Sequence, residues 1–181
     1  MRCGEVLGLR YSDIDFENGW IYVRQQIGRI SGELKARELK TKNSRRRLPF
    51  DEHGIIRDAL REHAKKYGVA LPPFNPNFEL SKQGTIVVGK NGTPLEPKSL
   101  MRSYKIIINK AGLPCTTIHA MRHMAATFMK DTDAEIKDVQ GILGHSDPQT
   151  TVKFYQHGTS EAQRSAVSSV GRRLCKLQYA V

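Results

Sequence analysis

The chain has 181 residues, 39% of them hydrophobic, which is enough for one globular domain with a core of its own. Its 29 lysines and arginines against 18 acidic residues give a net charge of +11, so nucleic acid is the expected partner and evenly spread solubility charge is the alternative. No apolar run is long enough to cross a bilayer, the first residues do not resemble a signal peptide, and three distant cysteines without a CxxC pair favour neither a disulfide framework nor a thiolate metal site; we expect a cytoplasmic protein.

The first half of the chain predicts two helices separated by a small antiparallel sheet. Residues 1–9 carry apolar side chains at helical spacing, and residues 20–50 contain the β-rich WIYVRQQI and the alternating RRRLPF, with turn-forming ISGE and KNS between them. Residues 51–67 predict an amphipathic helix that ends at Gly68, before the proline-rich LPPFNPN. The predicted inward face of that helix carries Ile56, Leu60, Ala64 and Tyr67.

The second half of the chain predicts mostly helices. A short strand TIVV and a KNG turn precede a helix over residues 97–110, and IHAMRHMAATFM predicts the next one. Asp133 is a candidate N-cap for the helix AEIKDVQGIL, and TVKFYQH and SEAQRSAVSSVGRRL predict two more. The residues expected on one face are Leu100, Tyr104 and Ile107 in the first of these helices and Met121, Ala125, Phe128 and Met129 in the second. We therefore predict an α+β fold, mainly helical, with one small antiparallel β-sheet near the N-terminus, in a single domain over residues 1–181.

Several polar residues stand in short motifs that core packing does not explain. In HAMRH, His119 and Arg122 are three positions apart, so on a helix they share one face and can point at one ligand. His119 and His123 have the spacing of a two-histidine metal site, but the glutamate of HExxH is missing and no third ligand is apparent. We therefore expect no metal at this motif.

Further candidates come from both ends of the chain. Arg2 and Glu5 share a helical face, and His145 follows Gly144 directly after a predicted helix end. Tyr155 comes ten positions later, and its neighbours alone predict a core residue that buries its ring. The stretch KTKNSRRRLP supplies lysines and arginines to a predicted hairpin tip and its return strand.

Together these motifs resemble the catalytic domain of the tyrosine recombinases, the phage integrase family. The matching motifs are RxxE with Arg2 and Glu5, TKNSRRRLP with Lys42, HAMRH with His119 and Arg122, LGH with His145 and TTVKFY with Tyr155. They follow the family's order and approximate separations from Met1 to about His157, and they look most like integrases of phages and conjugative transposons. The resemblance implies site-specific DNA recombination, the integration or excision of a mobile element, without metal or cofactor.

The resemblance also implies a role for each residue. Tyr155 would attack a DNA phosphodiester, giving a 3′-phosphotyrosine link and a free 5′-hydroxyl, and His119 would accept the tyrosine proton. Arg2 and Arg122 would clamp the nonbridging oxygens, because a guanidinium is planar, always charged and bidentate toward phosphate. The remaining implied roles are general acid for Lys42, a hydrogen bond to the phosphate for His145 and support of neighbouring groups for Glu5.

The hairpin contains alternatives. Lys40 also precedes the return strand, but we choose Lys42 as the general acid, since its distance to Pro49 resembles the strand-turn-strand pattern of the family. Lys40, Arg45 and Arg46 are expected to contact the phosphate backbone of DNA, and an exposed charged strand is the alternative.

The expected partners follow from the same resemblance. The first is double-stranded DNA at specific recombination sites, on which the full-length protein is expected to form a tetramer. Excision factors or host DNA-bending factors are the other expected partners. The protein is expected to associate with the nucleoid when it acts. Family members have core-binding and arm-binding domains before the first arginine, so we expect a C-terminal catalytic part, whose tail over residues 159–181 packs on its own domain or on a neighbouring subunit. The rival functions are a noncatalytic helix-turn-helix module in AEIKDVQGILGHSDPQTTVKFYQH and a type IB topoisomerase, which uses the same nucleophile.

Overall fold

A computed structural model describes residues 1–39, 41, 44–50, 54–131 and 134–144. The helices are α1 (Cys3–Gly8), α2 (Ile55–Lys66), α3 (Pro97–Lys110), α4 (Ile118–Asp131) and α5 (Ile136–Leu143), with a short 3₁₀ helix at Tyr11–Asp13. The strands are β1 (Ile14–Asp15), β2 (Trp20–Val23), β3 (Gln25–Ile30), β4 (Glu33–Glu38) and β5 (Arg46–Pro49). The predicted α+β fold is confirmed, with helices in the majority and all the described strands in the N-terminal third.

The strands form two antiparallel sheets rather than the single sheet expected from the sequence. One sheet has the order β1-β2-β5, and the other is the hairpin β3-β4. Ser31 and Gly32 connect β3 to β4 with φ values of 49° and 84°, the left-handed pair that matches the twist of a tight hairpin. Arg24 stands between β2 and β3 and bonds to Asp13 at 3.0 Å, so the chain changes sheet at a residue whose side chain is tied to the 3₁₀ helix.

Helix α1 lies directly against strand β3, and a glycine makes this possible. A Cβ added at Gly8 would lie 2.9 Å from the Cα of Gln26 and 3.0 Å from the carbonyl oxygen of Gln25, both too short for a real contact. The amide of the Gln25 side chain donates to Gly8 O at 2.8 Å, which ties the helix to the strand. This close packing places the start of α1 beside the β3-β4 hairpin.

Two clusters of buried apolar residues support the described elements. The first has Tyr11, Ile14, Ala64 and Ile86 at its centre, with Leu9, Phe16, Phe50 and Leu60 packed against it. The second joins α4 to α5 and consists of Ala126, Val139 and Leu143, with Met129 and Ala134 packed against it. The second cluster fixes the position of α5 relative to α4, and the site described below depends on that position.

Some predicted inward faces are rotated by one residue. In α2, Leu60 and Ala64 do face the first cluster, but Ile56 and Tyr67 are exposed. In α3 the buried isoleucine is Ile108, not Ile107, because Ile106, Ile107 and Ile108 are consecutive and the helical period alone does not choose among them. In α4 the buried apolar residue is Ala126, whereas Met121 and Phe128 are exposed.

Other sequence predictions fall on residues outside the described ranges. These are the cap at Asp133, the helices TVKFYQH and SEAQRSAVSSVGRRL, and the tail over residues 159–181. Within the described ranges, none of the helices is both long enough and apolar enough to span a bilayer.

Candidate functional site

The C-terminal end of α5 binds three arginine side chains that come from three distant parts of the sequence. They bind three consecutive backbone carbonyls, in the pairs Arg46 with Ile142, Arg122 with Leu143 and Arg2 with Gly144. The Arg46 bond measures 2.7 Å from Nε, and the Arg2 bond measures 3.1 Å from Nη2. The last carbonyls of a helix lack partners inside the helix and carry partial negative charge, so they suit guanidinium donors. The end of α5 thus brings together Arg46 of β5, Arg122 of α4 and Arg2, the residue before α1.

A buried carboxylate joins two of these arginines. Glu5, whose side chain is 1% exposed, accepts from Arg2 Nη1 at 2.9 Å and from Arg46 Nη2 at 2.9 Å. It also accepts from the backbone N–H of Arg2 at 2.7 Å, which closes the first turn of α1. Burial alone would raise the pKa of Glu5, but the hydrogen bonds and charge of Arg46, together with the bonds from Arg2, lower it to about 2. Glu5 is therefore ionised at neutral pH.

Arg122 is a buried positive charge of this group. It is 6% exposed, and its Nη1 is buried without a hydrogen-bond partner among the residues that the structure describes. Burial lowers the pKa of Arg122 to about 10, helped by repulsion from Arg2 and Arg46 and opposed by attraction to Glu5. The guanidinium still carries its charge at neutral pH. A buried charged N–H that lacks an acceptor costs on the order of 1–3 kcal/mol, a cost that an incoming anion can remove.

Arg2 faces an open cavity. Its side chain is 40% exposed, and together with Glu5 it lines a cavity of about 400 Å³. The rest of the lining comes from the hairpin and the segment after it, in the residues Gln26, Arg37, Leu39, Thr41 and Ser44. Thr41 and Ser44 bond to each other through their hydroxyls at 2.9 Å. Described residues between β4 and β5 therefore border the same cavity as Arg2.

His119 lies one helical turn before Arg122 on α4 and is exposed. Its ring meets that of His123 edge to face, with 4.5 Å between the ring centroids. The pKa of His123 is lowered by burial and then by the nearby His119 and Arg122, so His123 is neutral at neutral pH. Within the described ranges, no three His, Cys, Asp or Glu residues lie close enough together to hold a metal ion.

Arg45 and Arg46, which are both predicted to contact DNA, have different surroundings. Arg45 is 48% exposed, with a surface ion pair to Glu38 at 3.2 Å. Arg46 is 6% exposed, and all its nitrogens bond to the protein. The alternative of an exposed charged strand therefore does not hold for Arg46, while its contact with DNA stays a prediction. Arg45 lies just before β5 and pairs with Glu38, whereas Arg46 is the first residue of the strand and pairs with Glu5.

The structure brings Arg2, Glu5 and Arg122 to one helix end and places His119 on the same helix as Arg122. Four other candidates lie outside the described residues, namely Lys40, Lys42, His145 and Tyr155. Sequence reasoning missed the internal role of Arg46. No sequence signal pointed to this role, because the contact between Arg46 and Glu5 arises only from tertiary packing.

The described fold is thus a mixed helix and sheet domain with three arginines at the C-terminal end of α5. A family model described as the phage integrase family matches residues 1–162. The chain belongs to the phage integrase family, as its motifs predicted.

Known proteins agree with this assignment. A tyrosine recombinase XerC-like protein of Caldanaerobacter subterraneus subsp. tengcongensis is 30% identical over 180 residues, which cover 94% of this chain and 46% of that protein. The integrase of Staphylococcus phage L54a is 25% identical over 189 residues, covering 99% of this chain and 49% of the integrase. Among solved structures, the Tn1549 transposon integrase in complex with transposon right end DNA has a TM-score of 0.76 at 28% identity, covering 94% of this chain and 55% of that one. The chain thus spans about half the length of these relatives.

Proposed function

We propose that this chain is the catalytic part of a site-specific DNA recombinase, which cleaves and rejoins DNA strands through a 3′-phosphotyrosine intermediate. The observation that carries the proposal is that Arg2 and Arg122 bind neighbouring carbonyls at the end of α5. Arg122 Nη1 is buried there without a hydrogen-bond partner in the described part of the chain. Relatives named as a tyrosine recombinase and as integrases, and a transposon integrase solved with DNA, support DNA as the substrate.

The arginine pair suits a phosphodiester in its transition state. Negative charge grows on the nonbridging oxygens as the phosphorus becomes pentacoordinate, and prearranged guanidinium groups stabilise that charge without reorganising. Arg122 offers a buried N–H, shielded from water so that electrostatic interactions are stronger, and Arg2 offers an accessible one. The carbonyls and the carboxylate behind the two arginines hold both groups before DNA arrives.

The proposed nucleophile is Tyr155. A free tyrosine has a pKa of about 10, so it needs a proton acceptor and a cationic environment to attack at neutral pH. His119, exposed on α4 one turn from Arg122, is the proposed acceptor. Lys42 is the proposed acid that protonates the leaving 5′-oxygen, and His145 is the proposed further donor to the phosphate.

Helix α3 supplies a candidate surface for the rest of the DNA. Lys98, Arg102 and Lys105 are exposed on it at positions i, i+4 and i+7, so they form one basic stripe. The stripe lines a groove of about 500 Å³ together with Met101 and Ile106. A helix of this length fits the major groove of B-DNA, and lysine and arginine side chains neutralise phosphates there. The proposed complete enzyme acts as a tetramer on paired sites, with accessory DNA-bending factors.

The test is covalent trapping on a nicked duplex, from which the short fragment that carries the new 5′-hydroxyl dissociates after cleavage. We would fuse the chain to the N-terminal half of the Tn1549 integrase, use the right end of that transposon as DNA, and also assay the chain alone. The proposal expects a protein–DNA adduct that survives denaturation and is lost in Tyr155→Phe but kept in Tyr67→Phe, a matched change at an exposed tyrosine of α2. Duplex binding without any adduct in the fusion would support a noncatalytic DNA-binding module instead.

A further inference from the structure

Arg46 uses its whole guanidinium to join three elements. Its Nε donates to Ile142 O at the end of α5 at 2.7 Å, and its Nη1 donates to Ser44 O at 2.9 Å. Nη1 and Nη2 also donate to the two carboxylate oxygens of Glu5, at 3.3 and 2.9 Å. Since the side chain is 6% exposed and each nitrogen already has a protein acceptor, Arg46 has no free face to offer a DNA phosphate.

The same guanidinium lies against the backbone of Gly144. A Cβ added at Gly144 would lie 2.9 Å from Arg46 Nη1 and 3.1 Å from Cζ. Gly144 also has a φ of 66°, which L side chains rarely adopt. Gly144 is therefore restricted in two ways, because its positive φ favours glycine and because Arg46 leaves no room for a side chain. Gly144 O is the acceptor for Arg2, so the position of this residue sets the position of Arg2.

Arg46 is connected to both arginines of the proposed phosphate site through shared partners. It reaches Arg2 through Glu5, which bonds to both side chains, and again through Gly144. It reaches Arg122 through the end of α5, because Arg46 binds Ile142 O and Arg122 binds the next carbonyl, that of Leu143. Without Arg46, the segments that carry Arg2 and Arg122 lose their common support.

We propose that Arg46 is a positioning residue that sets the distance between Arg2 and Arg122, so that both guanidiniums meet one phosphate. This inference rests on the proposed function for its catalytic consequence, although the positioning itself is a property of the protein without DNA. It assigns Arg46 a role inside the protein, in place of the DNA contact predicted from the sequence.

The role requires an arginine rather than any cation. The bonds of Arg46 leave three different nitrogens in three directions, toward α1, α5 and the segment before β5. A lysine has one nitrogen, so it can stay near Glu5 and balance its charge but cannot also hold Ile142 O. Arg46→Lys therefore separates the loss of charge from the loss of geometry.

The first experiment measures positioning by NMR in the chain without DNA. Arginine Nε–H signals of Arg2 and Arg122 would be recorded in the unchanged chain, in Arg46→Lys and in the control Arg61→Lys, at an exposed position of α2, with inorganic phosphate as the titrated probe. We expect Arg46→Lys to shift or broaden both signals and to weaken phosphate binding about tenfold, while Arg61→Lys leaves both as they were. Melting temperature and circular dichroism establish that each variant is folded.

A second variant keeps the proposal testable if Arg46→Lys does not fold. Gly144→Ala leaves Arg46 in the chain but pushes a methyl group against its guanidinium, so the same two NMR signals are expected to change. Unchanged Arg2 and Arg122 signals in a folded Arg46→Lys or Gly144→Ala protein would overturn the proposal.

The second experiment measures adduct formation on the nicked duplex in the fusion protein. With DNA at saturation, Arg46→Lys should slow adduct formation at least tenfold and change the duplex Kd less than about twofold, which a DNA-contacting residue would not do. If the unchanged fusion forms no adduct, the proposed function fails and the NMR result alone decides the role of Arg46. If the adduct forms equally fast with Arg46→Lys, the function stands and the positioning role is wrong.

Discussion

Arg2 and Gly144 are joined by a hydrogen bond of 3.1 Å between Arg2 Nη2 and the Gly144 carbonyl oxygen, which connects the start of α1 to the end of α5. This bond brings the arginine before α1 to the carbonyl next to the one that holds Arg122. The proposed phosphate site is therefore assembled by the C-terminal end of one short helix. Any change that moves α5 should alter both arginines together.

We predict that Arg2→Lys lowers the rate of adduct formation about 100-fold or more while leaving the protein folded. A lysine retains the charge but loses the fork that binds Glu5, Gly144 O and a phosphate at once, and a lost donor to a developing oxyanion costs about 3–4 kcal/mol. Single-turnover trapping on the nicked duplex measures the rate. Arg37→Lys, in the same cavity but without a bond to Glu5 or α5, is the matched control. A near-normal rate in Arg2→Lys would argue against the clamp.

We predict a similar loss of rate in Arg122→Lys, for a different reason. Arg122 is buried, so a lysine there can satisfy the Leu143 carbonyl or the phosphate but not both. The rate should fall by about 100-fold, and duplex affinity should change little, since one buried contact adds little to binding along the whole duplex. Trapping and a binding titration on the same DNA separate the two quantities.

The Glu5 carboxylate should make the free energy of unfolding depend on pH. Its pKa is about 2 in the folded protein against an ordinary value near 4.3 in the unfolded chain, so its contribution is present above about pH 4 and is lost as the pH falls toward 2. The difference corresponds to on the order of 3 kcal/mol in the free energy of unfolding. Urea unfolding between pH 6 and 2.5 measures this contribution.

Glu5→Gln is the variant that isolates this effect. At neutral pH it should be less stable by about 3–5 kcal/mol, because Arg46 is left buried without its counter-charge. Its stability should also fall less steeply below about pH 4 than that of the unchanged chain. Equal slopes for the two proteins would mean that Glu5 does not carry this pH dependence. Glu38→Gln, in an exposed ion pair with Arg45, should change stability by less than about 1 kcal/mol.

Several features of the fold and site could be predicted from the sequence because local rules determine them. The spacing of His119 and Arg122 puts both on one face of α4, and the glycine after QGIL ends α5 in the left-handed conformation. The face of α3 could not be predicted, since three consecutive isoleucines offer the same hydrophobicity in three directions. Arg46 could not be distinguished from its neighbours, because only tertiary packing places Glu5 on one side of β5. Roles assigned to Lys42, His145 and Tyr155 stay predictions.

Gly8 and Gly141 should respond oppositely to a change to alanine. A methyl at Gly8 would meet the backbone of Gln25 and Gln26 at 3.0 and 2.9 Å, so α1 must move away from β3, and we expect a loss of about 1–3 kcal/mol. A methyl at Gly141, within α5, meets nothing within 4 Å, so the higher helix propensity of alanine should stabilise by about 0.5–1 kcal/mol. Urea denaturation measures the free energy of unfolding of both variants. A Gly8→Ala protein as stable as the unchanged chain would show that α1 is free to shift.

The basic stripe of α3 should govern how strongly DNA binding depends on salt. Replacing Lys98, Arg102 or Lys105 with glutamine removes one charge from an exposed helical face, so each change should reduce the slope of log affinity against log salt by about 1 if that side chain meets a phosphate. Lys65→Gln, on exposed α2, should leave the slope as it is. Binding titrations between about 50 and 200 mM salt on one duplex provide the slopes. If all four variants have the same slope as the unchanged chain, α3 does not belong to the DNA-binding surface. That surface would then consist of the hairpin and the end of α5.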